Sequence, residues 1–181
     1  MFQLILIKNH IYIILMNTDI SSKINIGISN ESLQKIVSIL NTDLADEYVL
    51  LTKTKNYHWN VIDPRFNDLH KFLEEQYELL EEMVDELAER IRSIGGKSIG
   101  TLIEFTDETR LSEVPKEYPH ADKMLENLLL DHESIIRQLR KDLESCEQFG
   151  DAGTADFLTA VMEKHEKMAW MLRSFIELQN H

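Results

Sequence analysis

The chain has 181 residues, enough for one domain with a real core, and its 43% hydrophobic and 28% charged residues make an ordinary globular balance. Acidic side chains outnumber basic ones 32 to 19, and a formal net charge of -13 describes a surface that repels nucleic acid and attracts cations. The single Cys146 cannot form an internal disulfide, which suits a reducing cytoplasm and excludes a cysteine-based metal site.

Residues 1–15, MFQLILIKNHIYIIL, are strongly apolar but too few to span a bilayer, and Lys8, Asn9 and His10 interrupt them. The run lacks a basic n-region and a small-residue cleavage site, so no signal peptide is expected. Met16 opens a polar stretch, MNTDISSKINIGISNES, that reads as a start. Mistaken or alternative initiation upstream of Met16 is the preferred account of the apolar run, and a peripheral membrane anchor is the other. Residues 1–28 are therefore expected as an extension and 29–181 as the folded unit.

A first helix is expected from about Asn30 to Asn60, capped by Ser29 or Asn30, with Leu33, Ile36, Val37, Leu40, Leu44, Val49 and Leu51 as apolar positions. The second runs from Asp63, as N-cap before Pro64, to Gly95-Gly96, a length of about 45 Å at ~1.5 Å per residue. Leu69, Phe72, Leu73, Leu80, Met83, Val84, Leu87 and Ile91 form its core face. A short helical piece near Ile99 to Phe105 fits the link that follows, which Pro115 and Pro119 punctuate. A third long helix is expected from His120 or Ala121 to Phe149, and a fourth from about Thr154 to Leu178. Four long helices with one long crossover point to an all-α, ferritin-like four-helix bundle.

The second helix carries a stripe on its other face: His70, Glu74, Glu78, Glu81, Asp85 and Glu89 recur at helical spacing. Such a stripe is ordinarily a solvated acidic face. The balance shifts because a histidine opens it and another, His58, sits just upstream in NYHWNV. Imidazole and carboxylate without thiolate suit iron or manganese, and zinc is also admissible. His70 and Asp85 lie 15 residues apart, about 22 Å along a helix, so they cannot hold one ion within one copy. An ordinary Glu-x-x-His di-iron centre is not supported either, because the only such spacing, Glu117 to His120, contains Pro119. A two-fold, antiparallel copy of this helix would bring the His70 end of one chain to the Asp85 and Glu89 end of the other; spacing permits this without demanding it. His132 and His165 are expected to be structural, and His10, His120 and His181 to have no special role. Tyr57 and Trp59 read first as packing residues, although an aromatic beside a redox metal can also quench radicals.

NYHWNV, an LH pair twelve residues after that histidine, DELAERI, LADEYVL (44–50), DHESIIRQLR (131–140) and GTADFLTAVMEKHEKMAWML (153–172) together closely resemble the Dps family, the small ferritins named as DNA-binding proteins from starved cells. The resemblance extends from about Asn25 to the C-terminus. It implies a ferroxidase centre between two-fold-related subunits, with His58, His70 and Glu74 from one chain and Asp85 and Glu89 from its partner. Position 74 is often Asp in the family, so Glu74 is a conservative departure. Also implied are a hollow homododecamer that oxidises Fe(II), preferentially with hydrogen peroxide, a two-iron Fe(II)/Fe(III) site open to other divalent metals, and storage of ferric mineral in a cytoplasmic shell that limits oxidative damage. Glu78, Glu81 and Glu82 would face the cavity as nucleation carboxylates, and Asp151 and Asp156 would line a three-fold pore. An alternative is a non-catalytic DNA-condensing shell. Direct DNA binding is not expected, since the N-terminal arm offers only Lys8 and Lys23 and the other end reads ELQNH.

Overall fold

The computed structural model describes residues 2–7, 10–15, 20 and 24–177. Lys8, Lys23, Leu178 and His181 lie outside the described residues. A two-stranded antiparallel hairpin, β1 (Phe2–Ile7) and β2 (His10–Leu15), occupies the apolar N-terminal run and adds a small sheet to an otherwise helical chain. The remainder is α1 (Asn30–Asn60), α2 (Phe66–Ser93), α3 (Leu102–Glu108), α4 (Ala121–Gln148) and α5 (Ala152–Glu177).

Helix α1 starts where Ser29 Oγ accepts from the Ser32 N–H at 3.1 Å. The start of α2 departs from expectation. Arg65, not Asp63, is the N-cap, and Asp63 turns inward on the tripeptide Asp-Pro-Arg, accepting from the Arg65 backbone N–H at 2.8 Å and from Arg65 Nε at 2.7 Å. Those bonds hold the Asp63 carboxyl down to about 2. The carboxylate therefore stabilises the corner before the helix rather than the first turn of the helix itself. Gly95, at φ 88, ends α2 as expected, and Gly96 packs so close to Val37 that an added Cβ would fall 2.4 Å from Val37 Cγ2. Helix α3 begins later than expected, at a capping box of Thr101 and Glu104. Helix α5 begins earlier, because Asp151 Oδ1 accepts from the Thr154 N–H at 2.9 Å.

The apolar faces of the four long helices meet in one core around Leu40, Leu44, Leu73, Leu80, Met83, Leu87, Leu128, Leu139, Leu158 and Leu172. Each such side chain contributes about 1.5–3 kcal/mol when withdrawn from water. Lys55 meets Glu81 across α1 and α2, Lys164 meets Glu86 across α2 and α5, and Lys53 meets Asp131 across α1 and α4. With Val37 against Gly96, Arg90 bonded to Thr154 and Asn127 bonded to Tyr57, these pairings run each of these helices antiparallel to its partner. The crossover from α2 to α4 is fastened to α1 and to α4 by polar groups that the apolar pattern hid. Asn41 bonds the Lys97 carbonyl and the Ile99 N–H, and Arg110 reaches Asp43, Asp46 and Asp142. Among the described residues no helix is long and apolar enough to cross a membrane.

Candidate metal centre at the α1–α2 corner

His58 lies in the last turn of α1 and His70 in the second turn of α2, so the short 61–65 connection folds one back beside the other. Their imidazoles stack with centroids 3.8 Å apart and planes 19° from parallel. His58 Nδ1 lies 2.9 Å from the His70 carbonyl oxygen, and His70 Nδ1 lies 3.0 Å from the His58 carbonyl oxygen. A carbonyl only accepts, so both Nδ1 atoms must carry the hydrogen. In a neutral ring Nε2 then holds the lone pair, the form of imidazole that binds a metal, and the bond at Nδ1 fixes the ring's orientation on the backbone. Phe66 adds a third ring, stacked 5.0 Å from His70.

Glu74 lies one turn beyond His70 and is half-buried; the Tyr77 hydroxyl donates to its Oε1 at 3.4 Å. Tyr77 itself stands edge-on to His58, at 5.2 Å and 80°. Its hydroxyl is pushed up first by burial and then by the charges of Glu74, Glu78 and Glu81, which keeps it a donor. Tyr77 went unnoticed in the sequence, although it stands two turns beyond His70 and three residues after Glu74, on the same stripe.

Asp85 and Glu89 are exposed on the far half of α2, and the chain does not bring them to its own His58 and His70. Among the described residues no three metal-binding side chains converge within the single chain. Glu89 opens onto a groove of about 490 Å³ floored by Phe157, Ala160 and Val161 of α5. Glu78, Glu81 and Glu82 are exposed, and Glu81 pairs with Lys55 at 3.2 Å. Of the two carboxylates expected at a pore, Asp156 is exposed, whereas Asp151 is buried and engaged by Thr154 and by Arg90 at 3.1 Å. Asp151 thus serves as a helix cap and an ion-pair partner within its own subunit.

The other two helical histidines are buried together. His132 Nδ1 and His165 Nδ1 are 2.8 Å apart, and His165 Nε2 meets Glu47 Oε1 at 2.6 Å, with all three side chains essentially sealed from solvent. This agrees with the structural role expected of them. Glu47 is buried with them, and nothing in the spacing of LADEYVL singles it out, so that it is, with Tyr77, a residue sequence reasoning missed.

The four-helix bundle with its long crossover defines a ferritin-like protein, and residues 37–180 match the family model of the ferritin-like domain. A low temperature-induced protein of Nostoc sp. is 51% identical over 158 residues, 87% of this chain and 88% of the relative. The DNA protection during starvation protein 2 of Bacillus anthracis is 36% identical over 143 residues, 79% of this chain and 97% of the relative. Among solved structures, the archaeal Dps homologue of Halobacterium salinarum superposes with a TM-score of 0.78 at 30% identity, covering 86% of this chain and 92% of that one. The chain belongs to the Dps family.

Proposed function

We propose that this chain oxidises Fe(II) with hydrogen peroxide and stores the ferric product inside a homododecameric shell, at two-iron sites shared between two-fold-related subunits. The observation that carries this reading is the reciprocal bonding of His58 and His70. Each ring spends its Nδ1 hydrogen on the other residue's carbonyl and keeps Nε2 for an ion. Near-parallel rings 3.8 Å apart have no common plane in which one ion could lie, so the pair favours one ion on each ring. Two Fe(II) held side by side would suit a two-electron oxidant, because each supplies one electron.

Asp85 and Glu89 of the partner subunit would complete the first coordination spheres beside Glu74. An antiparallel α2 pair brings the opposite ends of that helix together, and both ends show surfaces that association would cover. Trp59 is 70% exposed and Ile62 88% exposed beside the histidines, while the groove next to Glu89 is lined by apolar α5 side chains. In the reaction two Fe(II) lose one electron each and the O–O bond of one peroxide accepts both. With two waters the products are two FeOOH and four protons. Glu78, Glu81 and Glu82 are suited to collect the product, and the exposed Asp156 to attract incoming Fe(II).

Relatives named for DNA protection during starvation raise a second reading, a shell that coats DNA. The net charge of -13 opposes it, and consuming ferrous iron and peroxide together protects DNA without contact. The test is anaerobic Fe(II) loading followed by peroxide, comparing the parent with a His58→Ala and His70→Ala double variant. Rapid oxidation at two Fe(II) per peroxide in the parent, lost in an assembled double variant, is expected; equal kinetics in the two would defeat the reading. A gel shift at low salt checks the second reading, and a retarded band would revive it.

A further inference from the structure

Tyr77 belongs neither to the proposed ligand set nor to the sealed core, yet it touches the centre twice. Its ring edge packs against His58, and its hydroxyl makes the one hydrogen bond found at the Glu74 side chain among the described residues. Lys55 holds the ring in turn: its ammonium lies 5.1 Å from the Tyr77 centroid while bonded to Glu81 at 3.2 Å. A cation over an aromatic face is attracted by the ring quadrupole, and here the same ammonium is also tethered to the acidic stripe. The ring thereby contacts both an imidazole and a tethered charge.

We infer that Tyr77 is a positioning residue of the ion centre, its ring buttressing the His58 imidazole and its hydroxyl aiming the Glu74 carboxylate. One side chain thus sets the attitude of two ligands contributed by two different helices. The backbone already fixes how His58 turns about its ring plane, through Nδ1. Glu74 has no such backbone tie, and a glutamate carried on three rotatable bonds needs an outer partner to be presented in one orientation. Phenol and carboxylate are three residues apart on α2, the spacing at which helix side chains meet.

This inference rests on the ion-site reading, so its experiment separates the two. Visible absorption of Co(II) bound to the assembled protein reports both affinity and ligand geometry without turnover. Tyr77→Phe keeps the ring and removes only the hydroxyl, and is expected to weaken Co(II) binding roughly tenfold and shift its visible bands, with assembly mass and melting temperature unchanged. Tyr77→Leu, which also removes the buttress, should weaken binding further. In a Glu74→Gln background Tyr77→Phe should add nothing, because the hydroxyl acts through that carboxylate. A Tyr77→Phe protein with the parent's Co(II) affinity and spectrum overturns the positioning role, as does a full additive loss in the Glu74→Gln background. His58→Ala serves as the reference. If it leaves Co(II) binding intact, the ion-site reading fails and the role of Tyr77 fails with it. If it abolishes binding, the result for Tyr77 stands on its own.

Discussion

Two histidine pairs in this chain put the same side chain to opposite uses. At the α1–α2 corner, His58 and His70 stack without bonding each other's rings, and each gives its Nδ1 hydrogen to backbone. Between α4 and α5, His132 and His165 join ring nitrogen to ring nitrogen, and His165 gives its other nitrogen to Glu47. The first pair keeps an uncommitted nitrogen on each ring; the second turns its hydrogen-bonding capacity inward. An imidazole is a ligand or a structural bond depending on what satisfies its second nitrogen, and proximity of two histidines does not by itself make a metal site.

The largest expected effect comes from breaking the inward-facing pair. Glu47 and His165 are 1% and 0% exposed, and Glu47 Oε2 already lacks a partner. Replacing His165 by Ala would leave a sealed carboxylate with no hydrogen-bond donor, at a cost of about 3–5 kcal/mol in unfolding free energy. Denaturant unfolding of the variant checks it. His58→Ala should cost less, about 1–2 kcal/mol for one lost bond to a carbonyl and the stacked ring, while removing fast Fe(II) oxidation. If the costs came out in the reverse order, the division between the pairs would be wrong.

Acid sharpens the contrast. Burial, and then the charge of His165, lowers the pKa of His132 well below its usual 6.5. Between those two values the unfolded chain holds a proton that the folded chain does not, so stability rises with pH. The contribution is full above about 6.5 and is lost as the pH falls, at no more than about 1.4 kcal/mol per pH unit. Asp43 opposes this. Burial, and then Asp142, raises its pKa, so the folded chain keeps a proton that the unfolded chain gives up above 3.8, and stability is lost as the pH rises through that interval. Unfolding midpoints from neutral to mildly acidic pH should therefore fall more steeply in Asp43→Asn than in the parent, and less steeply in His132→Gln.

The reasons why some of this was legible in sequence are local. Leu33, Ile36, Val37 and Leu40 recur at the helical period and are fully buried, so pattern alone placed α1 on the core. His58 and His70 were legible because a short corner forces residues twelve apart into contact. The His132–His165–Glu47 row joins residues up to 118 apart in sequence, in contexts dense with charge, DHES, EKHEK and LADEY. Only helix packing decides which of those charges turns inward. The same holds for Asp63, a strong N-cap by composition, which Arg65 draws into the corner with a guanidinium that also reaches Asp122.

The smallest effects separate the two aspartates first read as a pair. Asp151 caps α5 through Thr154 and holds Arg90 of α2, so Asp151→Ala should cost about 1–2 kcal/mol, as the loss of an N-cap does. Asp156 is exposed, and Asp156→Asn should change stability by less than about 0.5 kcal/mol. If Asp156 faces the route by which Fe(II) enters, its loss slows uptake into the assembled shell without altering oxidation at low iron loading, and the deficit grows as salt is removed, because attraction by a pore carboxylate is strongest where screening is weakest. Stopped-flow uptake at two ionic strengths measures this directly. An Asp156→Asn shell that fills as fast as the parent at both would place that carboxylate on ordinary outer surface and leave iron entry to other acidic residues.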